Sequence, residues 1–414
     1  MAKKPIDGGA RRLQRRLETL ARVTDEPGKL TRTFMSPAMR QANALVGSWM
    51  AEAGLKVSED RAGNLIGRWE VPGATTWVVG SHLDTVRDAG HYDGALGVLV
   101  AIAAVEELSR TGRALPFSLE IVGFSEEEGV RFASAYLGSK GYTGQLRQAD
   151  LALRDGSGIT VGDALRPLGV STAKDVQAAH SKLDLVGYFE VHIEQGPVLE
   201  SKNLSLGVVS GIAGQTRAKI SFVGKAGHAG TTPMGLRKDA LAGAAEFALA
   251  AEALAGKQAS LVATVGTLKV QPGAANVIPA RADFSLDLRH PEDKVRTAAL
   301  RALKATARSI ASRRGLSLTW LVTQDNGAVK CSPAVARILA ASVGRVAGKA
   351  ISLPSGAGHD GVVMSKVCPI AMLFVRCKDG LSHHPDEFVS LADLGSALDA
   401  TVDFLEGLAA DYNR

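Results

Sequence analysis

Apolar and polar positions alternate along the chain in two distinct rhythms. In the first, short continuous apolar runs recur at "TTWVVGS" (75–81), "FSLEIVGF" (117–124) and "YFEVHIE" (188–194). Runs of that length, bounded by turn residues, read as strands buried on both faces, and such strands pair mostly in parallel. Between the first two lies "ALGVLVAIAAVEELS", apolar almost throughout, which predicts a buried helix over 94–109. "SPAMRQANALVGSWMAEAG" opens on Ser-Pro and closes on Gly, the start and stop signals of a helix over 37–53. Strands alternating with helices define an α/β layer fold.

A different rhythm occupies residues 213–325. The strand-like "QTRAKISFVG" (215–224) precedes an alanine-rich helix over 237–255. Strands "ASLVATVGTLKV" (259–270) and "RADFSLDLR" (281–289), a helix over 292–313 and the strand "LSLTWLVTQ" (315–323) complete the order β-α-β-β-α-β. That order is the ferredoxin-like split motif, and it predicts a whole domain inserted into the first. The α/β rhythm then resumes through "PIAMLFVR" (369–376) to a terminal helix near 391–408. Two domains are therefore expected, one from 1–212 and 326–414 and one from 213–325. A chain of 414 residues is also too long for a single ordinary core.

Charge changes this picture little. The net charge is +6, but Lys3, Lys4, Arg11, Arg12, Arg15 and Arg16 against Asp7 supply +5 of it within residues 1–17. The remainder is nearly neutral and carries no basic patch interleaved with aromatics, so nucleic acid is not an expected partner. The longest apolar run, "LGVLVAIAAVEEL" (96–108), is too short to cross a bilayer, and no apolar leader follows the basic start. Three cysteines, Cys331, Cys368 and Cys377, make no disulfide framework. A cytoplasmic protein is expected.

The chemistry gathers at the strand ends. "GSHLDTVRDAGHYDG" (80–94) carries His82, Asp84 and Asp93 after one strand, and "FSEEEG" carries Glu126, Glu127 and Glu128 after a second. "EVHIEQG" (190–196) places His192 on a third, and "GLSHHPDEF" (380–388) places His383 or His384 beyond the last. Open α/β sheets assemble their sites there. Imidazole with carboxylate suits zinc or a similar divalent ion, and a carboxylate can bridge two of them. Such a pair polarises an amide carbonyl and acidifies a water, while a neighbouring carboxylate takes the proton. Asp84, two residues from His82, is placed to accept the second imidazole N–H and fix its tautomer.

With "SHLDT…YDG", "SEEEGVRF", "HIEQGPVLE", "GKAGHAGTTPM", "NVIPARADFSLDLR", "SGAGHDG" and "LSHHPDE" in this order, the chain resembles the M20 metallopeptidase-like amidohydrolases. More narrowly it resembles the hydantoinase/carbamoylase branch. The resemblance runs from about residue 15 to the end, and it implies a two-domain fold with a lid and dimerisation insert. It also implies two divalent ions, zinc or manganese: His82, Asp93 and His192 at one, Asp93, Glu128 and His383 at the other, with Asp93 the bridge. Glu127 then matches the general base, and Glu126 is a spare, solvated or hydrogen-bonded.

Arg217, Asn276 and Arg289 resemble the family's clamp for a substrate carboxylate, for which a planar guanidinium is suited. Gln195, Gly358 and His359 are weaker pocket candidates. His228 matches a lid histidine that reaches the partner subunit's site in a homodimer and stabilises the developing oxyanion. The implied reaction is hydrolysis of a ureido or carbamoyl C–N bond in a small carboxylate, with Glu127 passing the proton to the leaving nitrogen. Allantoate ranks first, because residues 31–54 resemble the allantoate enzymes. N-carbamoyl-L-amino acids follow, and then β-ureidopropionate. Two rival readings are a cysteine-dependent carbamoylase using Cys331 and a catalytically silent binding module.

Overall fold

The computed structural model describes residues 7–177 and 184–412. Lys3 and Lys4 of the basic start lie outside them. Arg12 and Arg16, on the helix Asp7–Leu20, pair with Glu106. The chain divides into two compact units. One runs to Ser210 and takes up Lys330–Leu353 and the chain from Ala357 onward, while the other is Gly211–Val329 with Pro354–Gly356.

The first unit is built on a mixed sheet. Its strand order is Lys56–Glu59, Leu65–Trp69, Ser118–Phe124, Thr76–His82, Leu185–Ile193, Ile370–Val375, Leu206–Ile212 and Val329–Lys330, with Ser352–Ser355 beside Leu206–Ile212. The central pairs are parallel, and Lys56–Glu59, Leu65–Trp69 and Leu206–Ile212 pair antiparallel outside them. The apolar runs explain the centre: every residue of Thr76–His82 and of Ser118–Phe124 is buried. The helix Ala95–Arg110 lies in the main apolar core with Val79, Val191 and Leu373. The helix Pro37–Glu52 has the expected start, with the Ser36 side chain accepting from the Met39 N–H. The terminal helix extends from Leu391 to Tyr412. No described helix is long and apolar enough to cross a membrane.

The second unit holds the split motif. The sheet order is Leu268–Gln271, Arg281–His290, Gly214–Val223 and Ser317–Asn326, with Val262–Thr264 also on Arg281–His290. Helices Ala240–Gly256 and Asp293–Arg314 pack on it around Phe222, Phe247 and Phe284. The single strand expected over 259–270 is two pieces, and Gly266 lies in the gap between them. A glycine offers an edge strand no side chain to pack and weakens it there. Gly227–His228 and Val277–Ile278 form a separate small antiparallel pair.

Candidate metal centre and active site

Sheet register brings the candidate ligands to one edge. Thr76–His82 runs parallel to Ser118–Phe124 with His82 opposite Phe124, so the three glutamates begin directly beside His82. Leu185–Ile193 runs parallel to Thr76–His82 on its other side, and Ile370–Val375 continues the set with Phe374 opposite His192. All four strands therefore release their loops at the same edge, the carboxyl end of the parallel core.

The geometry centres on Asp93. Its Oδ1 lies 3.2 Å from His82 Nε2 and 3.3 Å from His192 Nε2. Its Oδ2 lies 3.5 Å from His383 Nε2, which is in turn 3.2 Å from Glu128 Oε1. Two groups of possible metal-binding atoms result, His82–Asp93–His192 and Asp93–Glu128–His383. Gly94 closes up behind: its φ is +67°, and a Cβ there would stand 2.4 Å from the His82 ring.

The first group has the chemistry of a cation site. His82 Nδ1 is 2.9 Å from the Asp84 carbonyl, and His192 Nδ1 is 2.9 Å from the Ile193 carbonyl. A carbonyl can only accept, so each Nδ1 carries a proton, and in the neutral form each ring turns a lone pair at Nε2 toward Asp93. Asp93 Oδ1 is buried and has no hydrogen-bond partner. Two lone pairs facing a carboxylate oxygen are reconciled by a positive charge between them. Without one the carboxylates act on the rings instead. Burial alone would lower the His82 pKa, yet the adjoining Asp93 carboxylate and the charges of Glu127 and Asp84 carry it well above the ordinary value. The second group is already hydrogen-bonded, since Asp93 Oδ2 accepts from Gln195 Nε2 and Ser382 Oγ at 2.7 Å each.

The structure corrects the expected role of Asp84. Its carbonyl, not its carboxylate, serves His82, and the nearer carboxylate oxygen is 3.7 Å from Nδ1. Two residues along an extended chain the main-chain oxygen is simply nearer. The carboxylate instead accepts the Glu127 N–H through Oδ1 and the Glu128 N–H through Oδ2, at 3.1 Å each. Glu127 is buried, and burial with the charges of Glu128, Asp360 and Asp84 holds its carboxyl well above the usual range against the opposing pull of His82. Glu126 is not solvated. Its Oε1 accepts the Arg131 and Phe132 N–H groups at 3.0 Å each, and burial followed by the Asp84 charge pushes its pKa up to about 8.

The pocket candidates divide. Gln195 joins the Asp93 carboxylate, as above, whereas His359 is only 1% exposed, its ring 4.5 Å from that of His192. It belongs to a further group of possible metal-binding atoms with Glu190 and His192, and burial next to His192 lowers its pKa well below the ordinary value. Gly358 is exposed. In the second unit Arg217 and Arg289 meet on Asp287. Asn276 stands next to the exposed His228 segment, its carbonyl accepting the Ala229 N–H at 2.9 Å. The Cys331 alternative fails on chemistry: the thiol is buried, and burial pushes it up to about 12.

One residue escaped the sequence reading altogether. Glu387 is 4% exposed, and its Oε1 accepts the N–H groups of Tyr92 and Asp93 at 2.8 and 3.0 Å. It therefore ties the loop of His383 to the backbone of the central aspartate. Its only sequence signal is a carboxylate four residues after His383, a spacing shared with many surface loops.

An α/β unit with imidazoles and carboxylates converging at the carboxyl edge of its parallel strands defines a metal-dependent hydrolase. Residues 78–407 match the model of peptidase family M20/M25/M40. The chain is 42% identical over 385 residues to the N-carbamoyl-L-amino acid amidohydrolase of Geobacillus stearothermophilus, covering 92% of this chain and 94% of that protein. It is 40% identical over 424 residues to the allantoate deiminase of Arabidopsis thaliana, covering 94% and 81%. The crystal structure of a hydantoinase/carbamoylase family amidase from Burkholderia multivorans superposes with a TM-score of 0.90 at 32% identity, covering 96% of this chain and 97% of that one. The chain belongs to the M20 family, in its hydantoinase/carbamoylase branch, and is a hydrolase of C–N amide bonds.

Proposed function

We propose that this hydrolase cleaves the ureido C–N bond of allantoate, releasing ammonia and carbon dioxide. The similarity of residues 31–54 to the allantoate enzymes supports that substrate. An N-carbamoyl-L-amino acid is the second reading, favoured by the 42% identity to a protein of that activity. What carries the reaction class is the unpartnered Asp93 oxygen between two imidazoles of fixed tautomer.

In this proposal His82, Asp93 and His192 hold one divalent ion, and Asp93, Glu128 and His383 a second, zinc or manganese. The ions supply Lewis acidity and a water acidified toward neutrality. Asp84 fixes the backbone from which Glu127 projects. Glu127 takes a proton and returns it to the leaving nitrogen, and a carboxylate whose pKa is held above its usual range by burial suits a group that must do both. Arg217 and Arg289 receive the substrate's carboxylate, with Asn276 beside them in role. His228 acts on the oxyanion in the partner's site of a homodimer formed through the inserted unit. The exposed edge strand Ser317–Asn326 supports such pairing, with Leu321 57% exposed.

The test is ammonia release by metal-reconstituted protein offered allantoate, several N-carbamoyl-L-amino acids and β-ureidopropionate in parallel. Release from none of them overturns the proposal. Glu127→Gln is expected to keep its metal content by atomic absorption while kcat falls by roughly 10²–10⁴. Undiminished turnover in that variant would remove Glu127 as the base.

A further inference from the structure

The arginine pair of the inserted unit is not two independent cations. Arg217 lies on Gly214–Val223, and Asp287 and Arg289 lie on Arg281–His290, where the antiparallel register sets Asp287 opposite Arg217. Arg289 follows Asp287 by two residues and so projects from the same face. Arg217 Nε donates to Asp287 Oδ2 at 2.9 Å. Arg289 donates through Nε to Oδ1 at 2.8 Å and through Nη2 to Oδ2 at 3.0 Å. Gln215 Nε2 adds a bond to Oδ2 at 2.8 Å, and Arg289 Nη1 donates to the Gly356 carbonyl at 2.6 Å. Four N–H groups therefore reach the carboxylate, three of them on Oδ2 and one on Oδ1.

The set is half open to solvent, with the Arg217 side chain 51% exposed and that of Asp287 26%. Burial alone would raise the Asp287 pKa, yet contact with the Arg289 and Arg217 guanidiniums holds it below its ordinary value. Two positive groups and one negative group leave a single net positive charge. Gln215, which is neutral, secures Asp287 without altering that balance.

We propose that Asp287 is a specificity-determining residue, tuning the Arg217–Arg289 pair to receive one carboxylate and to disfavour small ligands that carry two. The proposal rests on the pair being the carboxylate clamp. In a small substrate a second carboxylate stays within a few ångströms of the first, and therefore of Asp287, whose charge opposes it. A mere spacer between the arginines would act on mono- and dianions alike, so the discriminating quantity is a ratio.

Succinamate and succinate have nearly the same shape and differ by one charge. Each is titrated calorimetrically into the full-length, metal-reconstituted protein. In Asp287→Asn, the ratio of succinate to succinamate Kd is expected to fall about fivefold, the upper end for a half-exposed charge pair. In Gln215→Glu, which adds a negative charge to the same cluster, that ratio is expected to rise. A ratio unchanged in both variants, even with weaker binding throughout, overturns the proposal. Arg289→Ala separates the two levels. If it weakens both ligands while the Asp287→Asn ratio stays fixed, the clamp stands and only the role of Asp287 falls. If it leaves both ligands unaffected, the clamp falls and this role falls with it.

Discussion

Asp93 meets its neighbours unequally through its two oxygens. Oδ1 has no hydrogen-bond partner between two buried imidazoles, whereas Oδ2 is shared by Gln195 and Ser382 and faces His383, whose side chain is 47% exposed. Ion loading is therefore expected in two steps, the His82–Asp93–His192 group filling first. Competition against a graded series of chelators measures this, and simultaneous loading of equal sites would contradict it. Glu387 acts one layer further out, through the Tyr92 and Asp93 N–H groups. Glu387→Ala is expected to weaken metal binding roughly 10- to 100-fold, and Glu387→Gln, which keeps an accepting oxygen, to recover much of it. Equal affinity in all three proteins would show that the aspartate needs no such support. The grouping of these side chains was legible in the chain because His and Asp recur at strand ends. Glu387 was not, since a residue that acts through main-chain N–H groups leaves no mark in spacing.

At the scale of elements, the buried parallel strands read clearly because each is apolar along its whole length. The shorter flanking strands Lys56–Glu59 and Leu65–Trp69 were missed: the first is largely exposed and only four residues long, which gives periodicity little to work on. The short helices between Leu137 and Gln177 were missed for the same reason. The helix Ala95–Arg110 shows what the sequence pattern encodes beyond its type. A Cβ at Gly97 would stand 2.1 Å from the Val191 carbonyl and 2.8 Å from the Ser81 Cβ, so the glycine sets how closely the helix sits on the two histidine strands. Gly97→Ala must push backbone apart and is expected to cost about 1–3 kcal/mol, read from urea unfolding. A change within error would mean that the helix can shift freely.

For the whole molecule, the insertion was legible as a change from uniform apolar runs to the alternating pattern of Arg281–His290, whose inward residues Ala282, Phe284, Leu286 and Leu288 are buried. The proposed pairing of two such units predicts a dimer by sedimentation equilibrium, shifted toward monomer in Leu321→Asp; an unaltered dimer would place the interface elsewhere. Prolonged chelation is expected to abolish hydrolysis and added metal to restore it, with thiol alkylation of the native protein having no effect, because Cys331, Cys368 and Cys377 are all buried. The way His82 and His192 are oriented bears on heat tolerance. Main-chain oxygens at or just beyond the ends of two neighbouring central strands accept from these rings, so the rings' orientation depends on those strands remaining paired. Fraying of the sheet edge and escape of the ion should thus be a single cooperative event, and by mass action the melting temperature should climb with free metal concentration.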